Sequence, residues 1–183
     1  MSEPFLSVAK SLHGKNKFIL DATAGYRGIW FSKNRKDTIF IDVKREVRPT
    51  IVADFTHLPF ISDLFDLVVF DPPQQAFGKD SVMGKRYGVF KFTVICAMVR
   101  EAAKELWRVL KDHAILLMKW NSVREKWIFD MVKTNRILAY FNNFDALFGQ
   151  RVSKRGGTRT DGRKWSSQTF WFCLIKVCQE NYT

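Results

Sequence analysis

The chain has 183 residues and carries 30 Lys and Arg against 18 Asp and Glu, a formal charge of +12. Hydrophobic residues at 46% and aromatics at 15% exclude a disordered basic tail, and no apolar run approaches the ~18 residues of a membrane span. The length suits one domain, expected over residues 1–183, with room for its own core. So large a positive charge points to a polyanionic partner without naming it.

Short β-rich runs alternate with amphipathic stretches along the chain. Phe18–Asp21 (FILD), Thr38–Asp42 (TIFID), Thr50–Asp54 (TIVAD) and Leu67–Asp71 (LVVFD) are apolar and bounded by turn residues, the pattern of buried parallel strands. A helix is expected over 26–35, after the first strand. The stretches 43–49 and 55–66 are shorter than the dozen or so residues of a parallel crossover, so trimmed connections are expected there. In Phe92–Leu110 the residues Ile95, Met98, Ala102, Leu106 and Val109 recur three or four apart, a helix stripe. Ala114–Trp120 reads as a strand. Ser122 can then cap a helix over Val123–Lys133, with Glu125 closing a capping box. Arg136–Phe141 is a weaker strand and Gln168–Val177 the last one. The alternation predicts an α/β fold, an open and mostly parallel sheet with helices on both faces.

The acids at the ends of the first four runs carry the chemistry. Ligands of a doubly wound sheet bind outside the carboxyl ends of its strands. A lone acid there is commonly a turn-former or helix cap, but Asp21, Asp42, Asp54 and Asp71 form a series. After Asp21 come Ala22, Thr23, Ala24 and Gly25, then Gly28, and two glycines let backbone approach a ligand closely. Asp42 stands 21 residues after Asp21, where an acid can accept from both hydroxyls of a ribose. Asp54 can accept from an adenine amino group while Phe55 packs on the ring, with ordinary core the equal alternative for Phe55. Asp71-Pro72-Pro73-Gln74 removes two N–H donors and fixes φ twice. Its carbonyls and carboxylate then make a rigid acceptor fork suited to an NH2 group, with a strand-ending turn as the simpler alternative.

The remaining reactive residues are sparse. Cys96, Cys173 and Cys178 fit no metal or redox spacing and read as reduced thiols of a cytoplasmic protein. His13, His57 and His113 are scattered, so no metal is expected. The N-terminal MSEPFLSVAK lacks the pattern of a signal peptide. No Ser/His/Asp or Cys/His arrangement is evident.

These residues resemble a known family. FILDATAGYRGIW, IFIDVK, IVADFTHLPF and FDLVVFDPPQ, with LWRVLK, LMKWN, ALFGQR and SQTFWFCLIK further on, are similar to the successive motifs of class I S-adenosylmethionine-dependent methyltransferases. Within that class they resemble a compact group found in phage, archaeal-virus and prokaryotic genomes. The resemblance covers about residues 17–177. It implies a Rossmann-like, seven-stranded sheet with an antiparallel last strand. It also implies S-adenosylmethionine bound by Asp21, Ala22, Thr23, Gly25, Asp42, Val43, Asp54, Phe55 and Asp71. The DPP run is similar to the signature of amino-methyltransferases, which act on adenine N6, cytosine N4 or glutamine. Carried over, Asp71, Pro72, Pro73 and Gln74 are the catalytic set, with Asp71 and the Pro72 carbonyl holding the amine. Two departures stand out. TAGYRG replaces the GxGxG of many relatives, and Gln74 replaces the aromatic that stacks on a flipped base. Phe77, Tyr87 or Trp120 are the candidates to stack instead.

Most of the charge lies in two segments. Arg151–Trp165 holds Arg151, Lys154, Arg155, Arg159, Arg163 and Lys164 against Asp161, a net +5, and its three glycines read as a mobile loop. Gln75–Lys91, directly after DPPQ, holds Lys79, Lys85, Arg86 and Lys91 against Asp80, a net +3. Solvated basic loops are the plain reading. Phosphate contact with stacking by aromatic neighbours is the sharper one. The expected partner is nucleic acid, DNA before RNA, with no membrane and no metal. The expected reaction is methyl transfer to an exocyclic amine, which needs positioning and no protein nucleophile. The competing readings are methylation of a protein or small molecule, a catalytically inactive nucleic-acid-binding module, and a dinucleotide oxidoreductase. The last predicts a GxGxxG loop that this sequence lacks.

Overall fold

The computed structural model describes residues 18–74, 90–124, 134–158 and 164–177. Seven strands form one sheet: β1 (Ile19–Asp21), β2 (Thr38–Asp42), β3 (Ile51–Val52), β4 (Phe65–Phe70), β5 (Leu110–Arg124), β6 (Phe144–Thr158) and β7 (Lys164–Lys176). Their order is β3-β2-β1-β4-β5-β7-β6. The pairs from β3 to β5 are parallel, and β7 runs antiparallel to both β5 and β6. This is the Rossmann-like, mostly parallel sheet with an antiparallel last strand. Connections run one way from β1 to β3 and back from β3 to β5. Right-handed crossovers put those two sets on opposite faces. One face carries the 3-10 turn Arg45–Val47. The other carries α1 (Phe92–Val109) and the helical stretch 134–138, which tightens into a 3-10 turn at Ala139–Phe141.

α1 forms where its periodicity predicts. It buries Ile95, Cys96, Val99, Ala102, Ala103, Leu106 and Val109 against Leu20, Ile39, Ile41, Val68, Phe70, Leu116, Met118 and Leu174, the residues of one sheet face. At roughly 1.5–3 kcal/mol for each fully buried large side chain, this seam is the main source of stability. Cys96, within this seam, and Cys173, next to Leu174 in β7, are buried free thiols.

The two short connections are trimmed as expected, and the long arms of α1 replace the missing helix. The loop from β3 to β4 has no helix of its own, so its backbone groups need partners elsewhere. Arg108 donates to the Phe60 and Leu58 carbonyls at 2.7 and 3.0 Å, and Glu105 accepts the Leu58 N–H at 2.7 Å. At the opposite edge of α1, buried Lys176 donates to Asp63 and to the Leu110 carbonyl, both at 2.7 Å, and pins β7 to the start of β5.

Four expectations are corrected. Residues 26–35 form turns, not a helix. Ten residues scarcely repay helix nucleation, Gly28 costs about 1 kcal/mol more, and Arg27 sits at φ +56°. Arg27 instead donates to the Arg48 carbonyl at 3.0 Å and lies 4.1 Å over the Phe40 ring, while Trp30 packs edge-on to the same ring at 5.7 Å. Ser122 is not a helix cap: Ser122, Val123 and Arg124 continue β5 and pair with Gln168, Ser167 and Ser166. Long-range pairing there overrides the local cap signal. The rest of the proposed helix, 125–133, lies outside the described residues. Arg136–Phe141 is helical rather than a strand, because Thr134, Ile137 and Phe141 are buried at a spacing of three and four. Finally, Arg151–Trp165 is not simply a loop. Residues 151–158 belong to β6 and pair with β7 down to Thr158 opposite Lys164. The segment lacks an apolar stripe because it is an edge hairpin, and basic residues are a usual guard of such edges.

Candidate functional site

β1 and β4 lie at the point where the strand order reverses, and ligands of such sheets bind in the crevice outside the carboxyl ends of the strands there. Asp21 ends β1, Asp42 ends β2, and Asp71 follows β4 directly. The sheet brings these three acids together. Asp21 is 1% exposed and accepts from the Trp30 indole N–H at 2.6 Å and the Thr23 N–H at 3.1 Å. Burial, with smaller contributions from Asp71 and Asp42, pushes its carboxyl up from 3.8 to about 6.

Asp42 fixes the first loop. Its Oδ2 accepts the Gly25 N–H and its Oδ1 the Lys44 N–H, each at 2.9 Å. Gly25 holds φ +48°, with open space where a Cβ would stand. Glycine is therefore required there by backbone conformation and not by crowding. Ala22 is buried and donates to the Val69 carbonyl at 2.9 Å, while Val43 is 59% exposed beside Asp42. Tyr26, unmarked by the sequence, is exposed in the same loop.

The DPPQ run is tied to its neighbours on both sides. The Asp71 N–H donates to the Thr23 hydroxyl at 2.7 Å, which links the β4 end to the β1 loop. Lys119 Nζ meets Asp71 Oδ2 at 2.5 Å, and Gln74 Nε2 donates to Asp71 Oδ1 at 2.6 Å. Gln74 also donates to the Lys119 carbonyl at 2.9 Å and accepts the Asn121 N–H. Its carboxamide thus pairs with the β5 backbone as a strand residue would. Pro72 is buried and Pro73 partly so. Burial raises the Asp71 carboxyl, and the charge and hydrogen bond of Lys119, then the bond from Gln74, offset part of that rise.

Other predicted residues fall elsewhere. Asp54 is exposed two residues beyond β3, and its Oδ1 is engaged by the Thr56 N–H and hydroxyl at 2.8 and 2.9 Å in a turn. Phe55 is buried edge-on against Phe70 at 5.3 Å, which is the core alternative. Trp120 is corrected from a stacking candidate to a core residue, 2% exposed on the α1 side of the sheet. Phe77, Lys85, Arg86, Tyr87 and Arg159 lie outside the described residues. Arg151, Lys154 and Arg155 lie in β6, opposite Phe170, Gln168 and Ser167 of β7.

The sequence reading missed Lys119 and Trp30. Strand register could have found the first. Lys119 interrupts an apolar run, AILLMKW, one residue beyond Met118, the partner of Phe70 at the end of β4. That offset carries it past the end of β4, beside Asp71.

β5, β7 and β6 run beyond the parallel strands. Residues 119–124, 164–171 and 150–158 all lie past the pairing level of Phe70, an overhang of about 20 Å at roughly 3.3 Å per residue. Lys119, Arg124, Arg151, Lys154, Arg155 and Lys164 fall in these stretches, and no Asp or Glu does. Among the described residues no helix is long and apolar enough to cross a membrane, and no three His, Cys, Asp or Glu are grouped to hold a metal ion.

No family model and no curated protein sequence matches the chain. Solved structures do. A SAM-dependent methyltransferase from Methanosarcina mazei is 14% identical, with 97% of this chain and 99% of that one covered and a TM-score of 0.52. A geranyl diphosphate methyltransferase solved with SAM is 9% identical, covering 94% and 84%, with a TM-score of 0.56. A 16S rRNA adenine-N1 methyltransferase from Catenulisporales acidiphilia is 14% identical, covering 99% and 95%, with a TM-score of 0.51. At these identities the likeness is one of architecture: the chain has the Rossmann-like fold of class I S-adenosylmethionine-dependent methyltransferases.

Proposed function

We propose that the chain is an S-adenosylmethionine-dependent methyltransferase of the compact phage and prokaryotic group, acting on an exocyclic amine of a nucleobase, adenine N6 or cytosine N4, in DNA. The observation that carries this reading is the meeting of Asp21, Asp42 and the Asp71-Pro72-Pro73-Gln74 run at the strand-order reversal, under a basic overhang free of acids.

The residues fit the cofactor. A buried carboxylate at Asp21 that is costly to ionise suits the ammonium of an amino acid moiety. Asp42 at the end of β2 suits ribose hydroxyls, Gly25 allows close backbone approach, and exposed Val43 offers an apolar surface to an adenine. When bound, the cofactor supplies an electrophilic methyl group on a sulfonium. The chain's own part is positioning. Asp71 and the Pro72 carbonyl accept the two N–H bonds of the target amine and aim its lone pair. As the nitrogen gains the methyl group it sheds a proton, which an ionised Asp71 can take. Lys and Arg of the overhang, and of the segment after DPPQ, contact phosphates.

RNA is the second reading. Gln74 is tied to β5 where base methyltransferases carry a stacking aromatic, and one of the similar structures is an rRNA methyltransferase. The test is transfer of labelled methyl groups to DNA, tRNA and rRNA, followed by nucleoside analysis. N6-methyladenine or N4-methylcytosine in DNA is the expected product. Label found only in protein or small molecules refutes the reading, and so does cofactor binding without transfer to any substrate.

A further inference from the structure

Asp71 stands among charged groups from three other strands. β1 contributes Asp21 and β2 contributes Asp42, both carboxylates felt at this crevice. The other groups bonded to Asp71 or Asp21, namely Thr23, Trp30 and Gln74, are neutral. Among the described residues the cation bonded to Asp71 is Lys119 of β5, at 2.5 Å. Resting on the reading that Asp71 holds the target amine, we infer that Lys119 is a positioning residue, whose ammonium keeps the Asp71 carboxylate charged and fixed at the mouth of the crevice.

The geometry gives each partner a separate oxygen. Gln74 takes Oδ1 and Lys119 takes Oδ2. A carboxylate offers about four lone-pair sites, so a site remains for one hydrogen of the amine, whose other hydrogen goes to the Pro72 carbonyl. Proton uptake by Asp71 would convert one acceptor into a donor and close half of that fork. Burial favours proton uptake; the ammonium opposes it. Gln74 holds the position but carries no charge, so it cannot replace Lys119 in this respect. Lys119 is also set by the sheet rather than by a loop, because Met118 and Trp120 on either side of it are buried in the core.

The test follows the Asp71 carboxyl directly in the full chain. Protein labelled with 13C-aspartate is titrated by NMR from about pH 3 to 9, with Asp71→Asn identifying the signal. Lys119→Met is expected to move the Asp71 midpoint upward by at least one pH unit, a tenfold change in proton affinity. Lys119→Gln, which keeps a donor without the charge, is expected to do the same and decides the matter if the methionine variant does not fold. Lys119→Arg is expected to titrate as the wild type. In methyl transfer, the acidic limb of the pH profile moves with the titration, while affinity for S-adenosylmethionine holds. An unchanged midpoint in Lys119→Met or Lys119→Gln overturns the inference, as does an acidic limb that stays in place while the midpoint moves. The titration needs no substrate. A shifted midpoint in a protein that methylates nothing therefore sustains the control of ionisation and refutes the base-methylation reading instead.

Discussion

Replacing Asp21 by Asn tests the electrostatics of the crevice without any ligand. Asp21 is 1% exposed, and burial raises its carboxyl from 3.8 to about 6. That shift, at 1.36 kcal/mol per pH unit, makes the folded state about 3 kcal/mol less stable when Asp21 is ionised than when it is protonated. The folded chain binds the proton more tightly than the unfolded one, so the unfolding free energy falls as pH rises. The contribution is whole below about pH 4 and is lost as pH climbs through about 6. Asn cannot ionise, so it removes this pH dependence. It keeps one acceptor oxygen for Trp30 or Thr23 and gives up at most about 1 kcal/mol of hydrogen bonding. Urea denaturation across pH 3.5 to 8 is the assay, with the stability difference between variant and wild type as the quantity compared. That difference is expected to grow by about 3 kcal/mol in favour of Asp21→Asn over this range. Thermal midpoints should separate by roughly 4–12 °C at the alkaline end, at about 2–4 °C per kcal/mol for a chain of this size. Parallel stability curves would refute the assignment of a buried, poorly solvated carboxylate.

Asp71→Ala is expected to reduce methyl transfer to background while S-adenosylmethionine still binds with affinity within about threefold of wild type; normal turnover by the variant sinks the amine-holding assignment. Binding to DNA is expected to weaken by about 500-fold between 50 and 200 mM salt if the five described cations of the overhang other than Lys119 each meet a phosphate, and an affinity that ignores salt counts against that surface. Trp120→Ala is expected to cost about 3–5 kcal/mol of stability, as for other buried aromatics, while Trp120→Phe retains transfer. Loss of transfer in a stably folded Trp120→Phe protein would return that ring to the substrate side.

The sequence disclosed the parallel half of the sheet well. FILD, TIFID and LVVFD are short, apolar and closed by an acid, and each acid stands at or directly after a strand end. Strand β3 was overestimated. Only Ile51 and Val52 pair, and Asp54 drops into a turn with Thr56, where local Asx geometry suffices to explain the acid. The antiparallel half was legible only in part. Nothing in QRVSKRGGT is apolar on alternate positions, and the β6 residues from Asp145 to Gln150 are exposed. Its strand state comes from pairing with β7, a contact invisible to periodicity. The same holds for Lys119 and Gln74. Their bonds to Asp71 span 48 and 3 residues respectively, and only the register of β4 against β5 brings all three together.

That register also explains how so short a chain can form a crevice. With crossovers trimmed to turns, the first half of the sheet has, among the described residues, none of the helices whose N-termini usually border such a site. Side chains do the bordering instead. Asp42 holds Gly25, Asp21 holds Thr23 and Trp30, and Thr23 holds the backbone of Asp71. Gln74 then extends the series to β5. The Asp42–Gly25, Thr23–Asp71 and Gln74–Lys119 bonds each join the end or loop of one strand to another, so the crevice is built across the sheet by polar contacts. Such contacts give modest net stability, about 1 kcal/mol each, against the cost of burying Asp21. An arrangement near balance favours a bound ligand that supplies the missing positive charge. On this reasoning the crevice is expected to stiffen when a cation takes its place beside Asp21. Slowed amide exchange at Thr23, Gly25 and Asp71 on adding S-adenosylmethionine, with no change in the α1 core, is the observation that distinguishes it from a rigid preformed pocket.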